Sequence, residues 1–64
     1  MPTTLKYDAG ADAFYVRFAK DEIVESEEVR PGVIFDFDAE GHIVAIEILD
    51  AREKLSAPAL SAAE

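Results

Sequence analysis

The chain has 64 residues, no cysteine and one histidine, and its 14 acidic residues outnumber its six basic residues to give a formal net charge of −8. This composition excludes disulfides and cysteine-based zinc sites, and the charge repels the phosphates of nucleic acids and anionic lipid surfaces. A domain of this size buries only about 60% of the surface that its unfolded chain exposes, so its core is marginal. Self-association is the remaining way to enlarge that core.

No targeting or membrane signal is visible. The N-terminus, MPTTLKYD, lacks the apolar stretch of a signal peptide, and the apolar runs are much shorter than the roughly 20 residues that a transmembrane helix needs. We therefore expect a cytoplasmic protein with neither a membrane nor a nucleic acid as a direct partner.

The first half of the chain predicts three strands. Residues 3–7 and 13–18 alternate apolar with polar side chains, and turn-forming residues lie between them. Residues 23–29 carry so many carboxylates that this third strand belongs at a solvated edge. Pro31 and Gly32 then suit the two central positions of a type II turn. The sequence does not decide whether Leu5 and Tyr7 of the first strand lie on the same face of the sheet as Phe14 of the second. The answer depends on the pairing register, which the length of the loop between the strands sets.

Residues 32–49, GVIFDFDAEGHIVAIEIL, are typical of a β-hairpin with Ala39, Glu40 and Gly41 in its loop. With regular pairing, Asp38 lies opposite His42 next to the loop, and Val33 lies opposite Glu47 at the far end of the hairpin. One face would then carry Val33, Phe35, Phe37, Ile43, Ala45 and Leu49, and the other would carry Ile34, Val44, Ile46 and Ile48 with Asp36, Asp38 and His42.

The C-terminal part predicts a short helix and a tail. Asp50 and Glu53 have the spacing of a capping box, which predicts a helix from about Ala51 to Ser56. Pro58 should end it, and the Ala- and Ser-rich residues 57–64 should form a flexible tail. Residues 1–56 are then a single small β-rich domain. The predicted fold is mostly β: an antiparallel meander of about five strands with a short C-terminal helix, its sheet covered by dimerisation or curled into a partly open barrel.

Two sets of residues are candidates for a site. Asp36, Asp38 and Glu40, with Gly41 and Glu47, reproduce the spacing of a calcium-binding loop, although the flanking residues are strand-like rather than helical. These three carboxylates define the alternative hypothesis, a metal- or small-ligand-binding domain. The plain hairpin turn explains the same residues without a metal.

The second set is a partner-binding patch of Tyr15, Arg17 and Glu47. With regular pairing, Glu47 lies on the apolar face. A carboxylate buried there is costly unless it is paired. Glu47 therefore either reaches solvent or a basic side chain such as Arg30, or it anchors a dimer or partner contact. Arg17 either forms a local ion pair or joins Tyr15 in recognition. The sequence lacks a catalytic triad order, a cysteine nucleophile and a phosphate-binding loop, so we expect neither an enzyme nor a cofactor.

The order of short motifs resembles a known family. Residues 7–18, YDAGADAFYVRF, and 23–51, IVESEEVRPGVIFDFDAEGHIVAIEILDA, are similar to the small bacterial proteins of domain-of-unknown-function family 2283. That family's pattern runs Tyr-Asp, Ala-Asp-Ala, Tyr-Ile-Arg, Pro-Gly-Val, Asp-Tyr-Asp, Asp-Gly and Ile-Glu-Ile-Leu. Phe37 replaces the central Tyr of Asp-Tyr-Asp, and Gly10 stands where an acidic residue is common.

The resemblance implies no catalytic residue and no activity. Some members resemble the antitoxin half of two-gene modules, encoded beside a small RNase-like protein. An acidic sheet could cover the basic surface of such a toxin. The sequence therefore predicts a non-enzymatic protein-interaction module, a homodimer that also serves as the antitoxin-like partner of a small basic protein.

Overall fold

A computed structural model describes residues 3–63 as one antiparallel sheet followed by two short helices. Met1, Pro2 and Glu64, at the ends of the predicted domain and tail, lie outside the described residues. The mostly β fold with a C-terminal helix is confirmed. The strands are β1 (Thr4–Asp8), β2 (Ala13–Arg17), β3 (Glu25–Arg30), β4 (Val33–Phe37) and β5 (Ile43–Leu49), and the helices are α1 (Ala51–Lys54) and α2 (Ala57–Ser61).

The strands lie in the order β1-β2-β5-β4-β3, and each neighbouring pair is antiparallel. The last strand in the sequence therefore occupies the centre of the sheet, and residues 18–24 cross one end of it to connect β2 with β3. Strands β1 and β3 are the two edges, so the sheet is open and does not close into a barrel.

Both predicted hairpin turns form. Gly32 has φ 78° and Gly41 has φ 83°, the left-handed values that these positions require. Asp38 faces His42 as predicted, since the Asp38 amide donates to the His42 carbonyl at 3.0 Å and the Gly41 amide donates to the Asp38 carbonyl at 3.1 Å. Strand β3 is an edge with all six residues exposed, as its carboxylates predicted.

The predicted pairing within the central hairpin is wrong beyond its first two pairs. Phe37 lies opposite Ile43, but Asp36 lies opposite Ala45, so Val44 is an extra residue that forms a β-bulge. The bulge shifts every later pair by one residue. Glu47 consequently lies opposite Ile34 instead of Val33 and is on the other face from the one predicted.

The observed register gives the sheet two distinct faces. Leu5 and Tyr7, whose register was open, lie opposite Val16 and Phe14. The apolar face carries Leu5, Tyr7, Phe14, Val16, Val33, Phe35, Phe37, Ile46 and Ile48, with Glu25 and Glu27 of the edge strand β3 opposite Phe37 and Phe35. The polar face carries Lys6, Tyr15, Arg17, Ser26, Glu28, Ile34, Asp36, Ala45 and Glu47.

Helix α1 forms where predicted but without the predicted capping box. Asp50 has left-handed φ and ψ of 52° and 49°, and its side chain caps nothing. Its place is taken by Asp12, whose Oδ1 accepts hydrogen bonds from the Arg52 amide at 3.1 Å and from the Tyr7 hydroxyl at 2.7 Å. Asp12 also has positive φ, 54°, which turns its carboxylate towards the helix. The cap therefore comes from the β1–β2 loop.

A second helix, α2, occupies most of the region predicted as a flexible tail. Pro58 stands in its first turn, where a fixed φ and a missing amide proton favour the helix, so the proline belongs to a helix start. Ser56 caps α2 by accepting from the Ala59 amide at 3.4 Å. The two helices pack mainly against each other, and neither helix of the described chain is long enough to span a bilayer.

The core is small. Among residues 3–63, the buried apolar side chains are those of Phe14, Val44, Ala45 and Ala51. Most of the apolar face is only half-buried, including Val16, Phe35 and Ile46 in the three central strands. The molecule measures 33 × 27 × 17 Å, as expected of one sheet without a second full layer.

Candidate functional site

The least exposed polar side chain of the described residues is Asp36, in the middle of the polar face. Asp36 is only 1% exposed, and its Oδ1 accepts a hydrogen bond of 2.6 Å from the Ser26 hydroxyl on the neighbouring strand β3. Its Oδ2 is buried and receives no hydrogen bond while all carboxyl groups are ionised. A buried carboxylate oxygen without a donor is costly, so this atom requires a proton or a cation nearby.

Glu47 is the group that can meet this need. It lies on the adjacent strand β5, one pair along from the Asp36–Ala45 pair, and is half-buried. A hydrogen bond to Asp36, burial, and repulsion by the Asp36 charge together raise the pKa of Glu47 to about 7. Near neutral pH Glu47 is therefore partly protonated, and its carboxyl proton can be donated to the Asp36 carboxylate.

The predicted patch of Tyr15, Arg17 and Glu47 is brought together on the polar face. Tyr15 lies directly opposite Glu47, and the Arg17 Nη1 donates to the Tyr15 hydroxyl at 3.2 Å. Of the two alternatives for Arg17, the local ion pair does not form among residues 3–63. Its Nε and Nη2 each donate over 2.7 Å, to the carbonyls of Ala19 and Asp21 respectively, and this fixes the start of the crossing loop.

The alternative metal site is not assembled. Asp36 is buried beside Ser26, whereas Asp38 Oδ1 accepts from the amides of Glu40 and His42, both at 2.9 Å, within its own turn. These bonds lower the pKa of Asp38, the bond from His42 most. Within residues 3–63 no three potential ligands converge on a metal position. The calcium-like spacing is explained by turn chemistry.

An open cleft of about 330 Å³ lies beside this turn, at the end of the sheet that the crossing loop spans. Its wall is mostly acidic. The cleft holds Asp38 and Glu40 but neither Asp36 nor Glu47, so it is separate from the polar network. It is lined by Asp21, Glu22, Val24, Asp38, Ala39, Glu40 and His42.

A family model described as "Protein of unknown function (DUF2283)" matches residues 4–52. The chain belongs to the DUF2283 family. The match contains all five strands, the Asp12 cap and the Asp36–Glu47 pair, whereas α2 lies outside it. No curated protein and no solved structure matches the chain. Membership in DUF2283 assigns no activity, so the function must be argued from the two faces of the sheet.

Sequence reasoning missed Asp36 as a buried partner of Glu47. The sequence does contain a sign of a buried carboxylate, because Asp36 is the only polar residue of β4 and stands between Phe35 and Phe37. The same pattern is equally typical of a strand with one face in solvent, on which the Asp36 side chain would be exposed. Only the bulge at Val44, which moves Glu47 onto the same face, shows that the two carboxyl groups meet.

Proposed function

We propose that this protein is a non-enzymatic protein-interaction module that associates with a second copy of itself through the apolar face. One observation carries the proposal. Ile46 lies at the centre of the sheet, between Val16 and Phe35, and all three side chains remain half-exposed. The central side chains of a sheet face normally form the core of a domain.

The energetic argument favours self-association. Burying a large apolar side chain stabilises a protein by roughly 1.5 to 3 kcal/mol relative to leaving it in water. The molecule measures 33 × 27 Å along its two longer axes, and each partner in a standard interface contributes about 800 Å², so one face is large enough for a stable dimer. A two-fold axis would place identical apolar faces against each other, the commonest arrangement of soluble homo-oligomers.

Light scattering at micromolar concentration tests this proposal, with a dimer as the expected result. Phe35→Asp places a charge in the apolar face and should give monomers or unfolded chain. Thr4→Asp introduces the same charge at an exposed position opposite Arg17, on the polar side of the sheet, and should leave the dimer intact. A wild-type chain that remains a cooperatively folded monomer on dilution would refute the proposal.

A basic protein is a second candidate partner, favoured by the distribution of charge. No lysine or arginine nitrogen lies within 4.0 Å of a carboxylate oxygen among residues 3–63. The arginine and lysine side chains with hydrogen bonds donate to carbonyls or to a tyrosine, as Arg52 does to Ala9 and Lys54 to Leu49. The exposed carboxylates, such as Glu25 and Glu27 on β3, are therefore available to a basic surface, as an antitoxin-like role requires.

The test of this second candidate is co-purification with a small basic protein encoded beside this chain. We expect a complex that forms at low salt and weakens as the ionic strength rises, because the attraction is electrostatic. Lack of association at low salt would remove the antitoxin-like role and leave self-association untouched.

A further inference from the structure

The edge strand β3 carries charges of both signs on the apolar side of the sheet. Glu25 and Glu27 lie opposite two phenylalanines of β4, and Arg30 lies opposite Val33. Directly paired residues share a face, so these three side chains lie along one margin of the apolar face. All three are exposed, and among residues 3–63 their side chains form no hydrogen bond or ion pair. The margin therefore has charges to offer to a partner.

The two signs are separated along the strand. Glu25 follows the crossing loop at one end of the sheet, whereas Arg30 lies at the other end, next to the Gly32 turn and helix α1. Successive rows of side chains on one face are about 7 Å apart, so Arg30 lies about 14 Å from Glu25 at the backbone. One end of the margin is thus acidic and the other is basic.

From this pattern we infer that two copies of the chain pack their apolar faces together with the two β3 strands antiparallel, one above the other, so that Arg30 of each copy pairs with the glutamates on β3 of its partner. The inference rests on the proposed self-association and specifies its geometry. The two-fold axis then runs between the sheets, perpendicular to the strands. Such an axis places the acidic end of one margin over the basic end of the other.

The dimensions allow these ion pairs. Packed sheets lie about 10 Å apart, a gap that one arginine and one glutamate side chain span together. Aligned sheets cross at about 30°, which shifts the two margins along each other by a few ångströms. This angle decides whether Arg30 lies closer to Glu25 or to Glu27 of its partner. A carboxylate faces the guanidinium group in either case.

A two-fold axis parallel to the strands is less favourable. It would place β3 over β1 of the partner, where Glu27 meets Leu5, because both belong to the row of side chains that passes through Ile46. A carboxylate that loses water without gaining a counter-charge is costly. The parallel axis would also bring the two α1 ends together. The perpendicular axis instead places each α1 end beside the partner's more exposed end, where Ile43 is 44% exposed.

Sedimentation equilibrium of charge-reversed chains at low salt tests the inference. Arg30→Glu makes the margin wholly acidic and should raise the Kd of the dimer by about tenfold or more, because both copies lose the attraction and gain repulsion. The double variant Glu25→Lys/Glu27→Lys makes the margin wholly basic and should dissociate similarly. Lys6→Glu introduces the same change of charge as Arg30→Glu on the polar face, opposite Tyr15, and should keep the wild-type Kd.

An equimolar mixture of the two charge-reversed chains decides the direction of the axis. The perpendicular axis places the acidic margin of one chain over the basic margin of the other, so we expect a heterodimer that weakens as the salt concentration rises. Both chains keep a net negative charge, so overall attraction cannot produce this result. With the parallel axis the two margins lie at opposite edges, about 19 Å apart, and mixing restores nothing. Circular dichroism of each chain and of the mixture shows whether association also restores folding.

The outcomes separate this inference from self-association itself. Equal Kd values for Arg30→Glu and Lys6→Glu, or a mixture without heterodimer, would overturn the antiparallel arrangement of β3 while the wild-type dimer stands. A wild-type chain that stays monomeric would refute self-association and this geometry together.

Discussion

Asp12 caps helix α1 from a distance of 40 residues along the chain, through a hydrogen bond of 3.1 Å from the Arg52 amide to its Oδ1. The Ala51 amide donates to the Asp12 carbonyl at 3.0 Å as well. The first two amides of this very short helix, which have no partner within it, are thus satisfied by one residue of the β1–β2 loop. This contact fixes the helix against the sheet end.

Replacement of Asp12 tests this contact. Asp12→Ala removes the acceptor and places alanine at positive φ, so it should lower the free energy of unfolding by about 1 to 3 kcal/mol. Asp12→Asn retains an oxygen acceptor and tolerates positive φ, and should cost much less. Urea unfolding of both variants measures the difference, and equal losses would show that the side-chain oxygen contributes nothing.

The Asp36–Glu47 pair predicts an unusual dependence of stability on pH. Glu47 has an ordinary pKa of 4.5 when unfolded and a pKa of about 7 when folded. Between these values the folded state binds more protons than the unfolded state, so the Glu47 contribution to stability is complete below pH 4.5 and is lost as the pH rises towards 7. Asp38, with a lowered pKa, acts in the opposite sense and only at more acidic pH.

Glu47→Gln should abolish this loss, because its amide donates to Asp36 at every pH. Urea unfolding at pH 5, 6, 7 and 8 should show that the free energy of unfolding falls less with rising pH in the variant than in the wild type. The variant should be the more stable protein at pH 8. Glu27→Gln, at an exposed position, should retain the wild-type decline. A wild-type stability that is constant from pH 5 to 8 would contradict the raised pKa of Glu47.

Replacing the two turn glycines with alanine should lower the free energy of unfolding by different amounts. Gly41→Ala meets no atom within 4 Å and should cost only the backbone strain of positive φ, about 1 kcal/mol. A Cβ on Gly32 would lie 2.8 Å from Lys54 Nζ and 3.3 Å from the Leu49 carbonyl oxygen. Gly32→Ala should therefore cost more. Thermal unfolding of the two variants in parallel measures the order, and the reverse order would contradict the described packing of the Gly32 turn.

Calcium binding is predicted to be absent in the physiological range. Asp38 is occupied by the amides of its own turn and Asp36 is buried, so titration should show no saturable site below about 1 mM, the weak end of natural calcium sites. Asp38→Asn should destabilise the hairpin without changing the response to calcium. A micromolar site that disappears in this variant would restore the metal hypothesis.

The sequence alone determined the strands, the turns and the acidic edge, because each depends on local chemistry. Alternation of side chains identifies β2, the pair Pro31 and Gly32 specifies one turn, and Asp38 with Gly41 specifies the other. These signals lie within a few residues of what they determine. The family resemblance, over residues 7–18 and 23–51, lies within the residues 4–52 that the family model matches.

Only the tertiary structure decided which side chains meet. The bulge at Val44 inserts one residue without any local signal, and because side chains alternate with a period of two, it transfers Glu47 from the apolar face to the side of Asp36. The cap of α1 was equally hidden. Asp50 has the spacing of a capping residue, but its backbone has positive φ and its side chain caps nothing. Asp12 caps the helix instead, because the pairing of β2 with the central strand β5 brings it there.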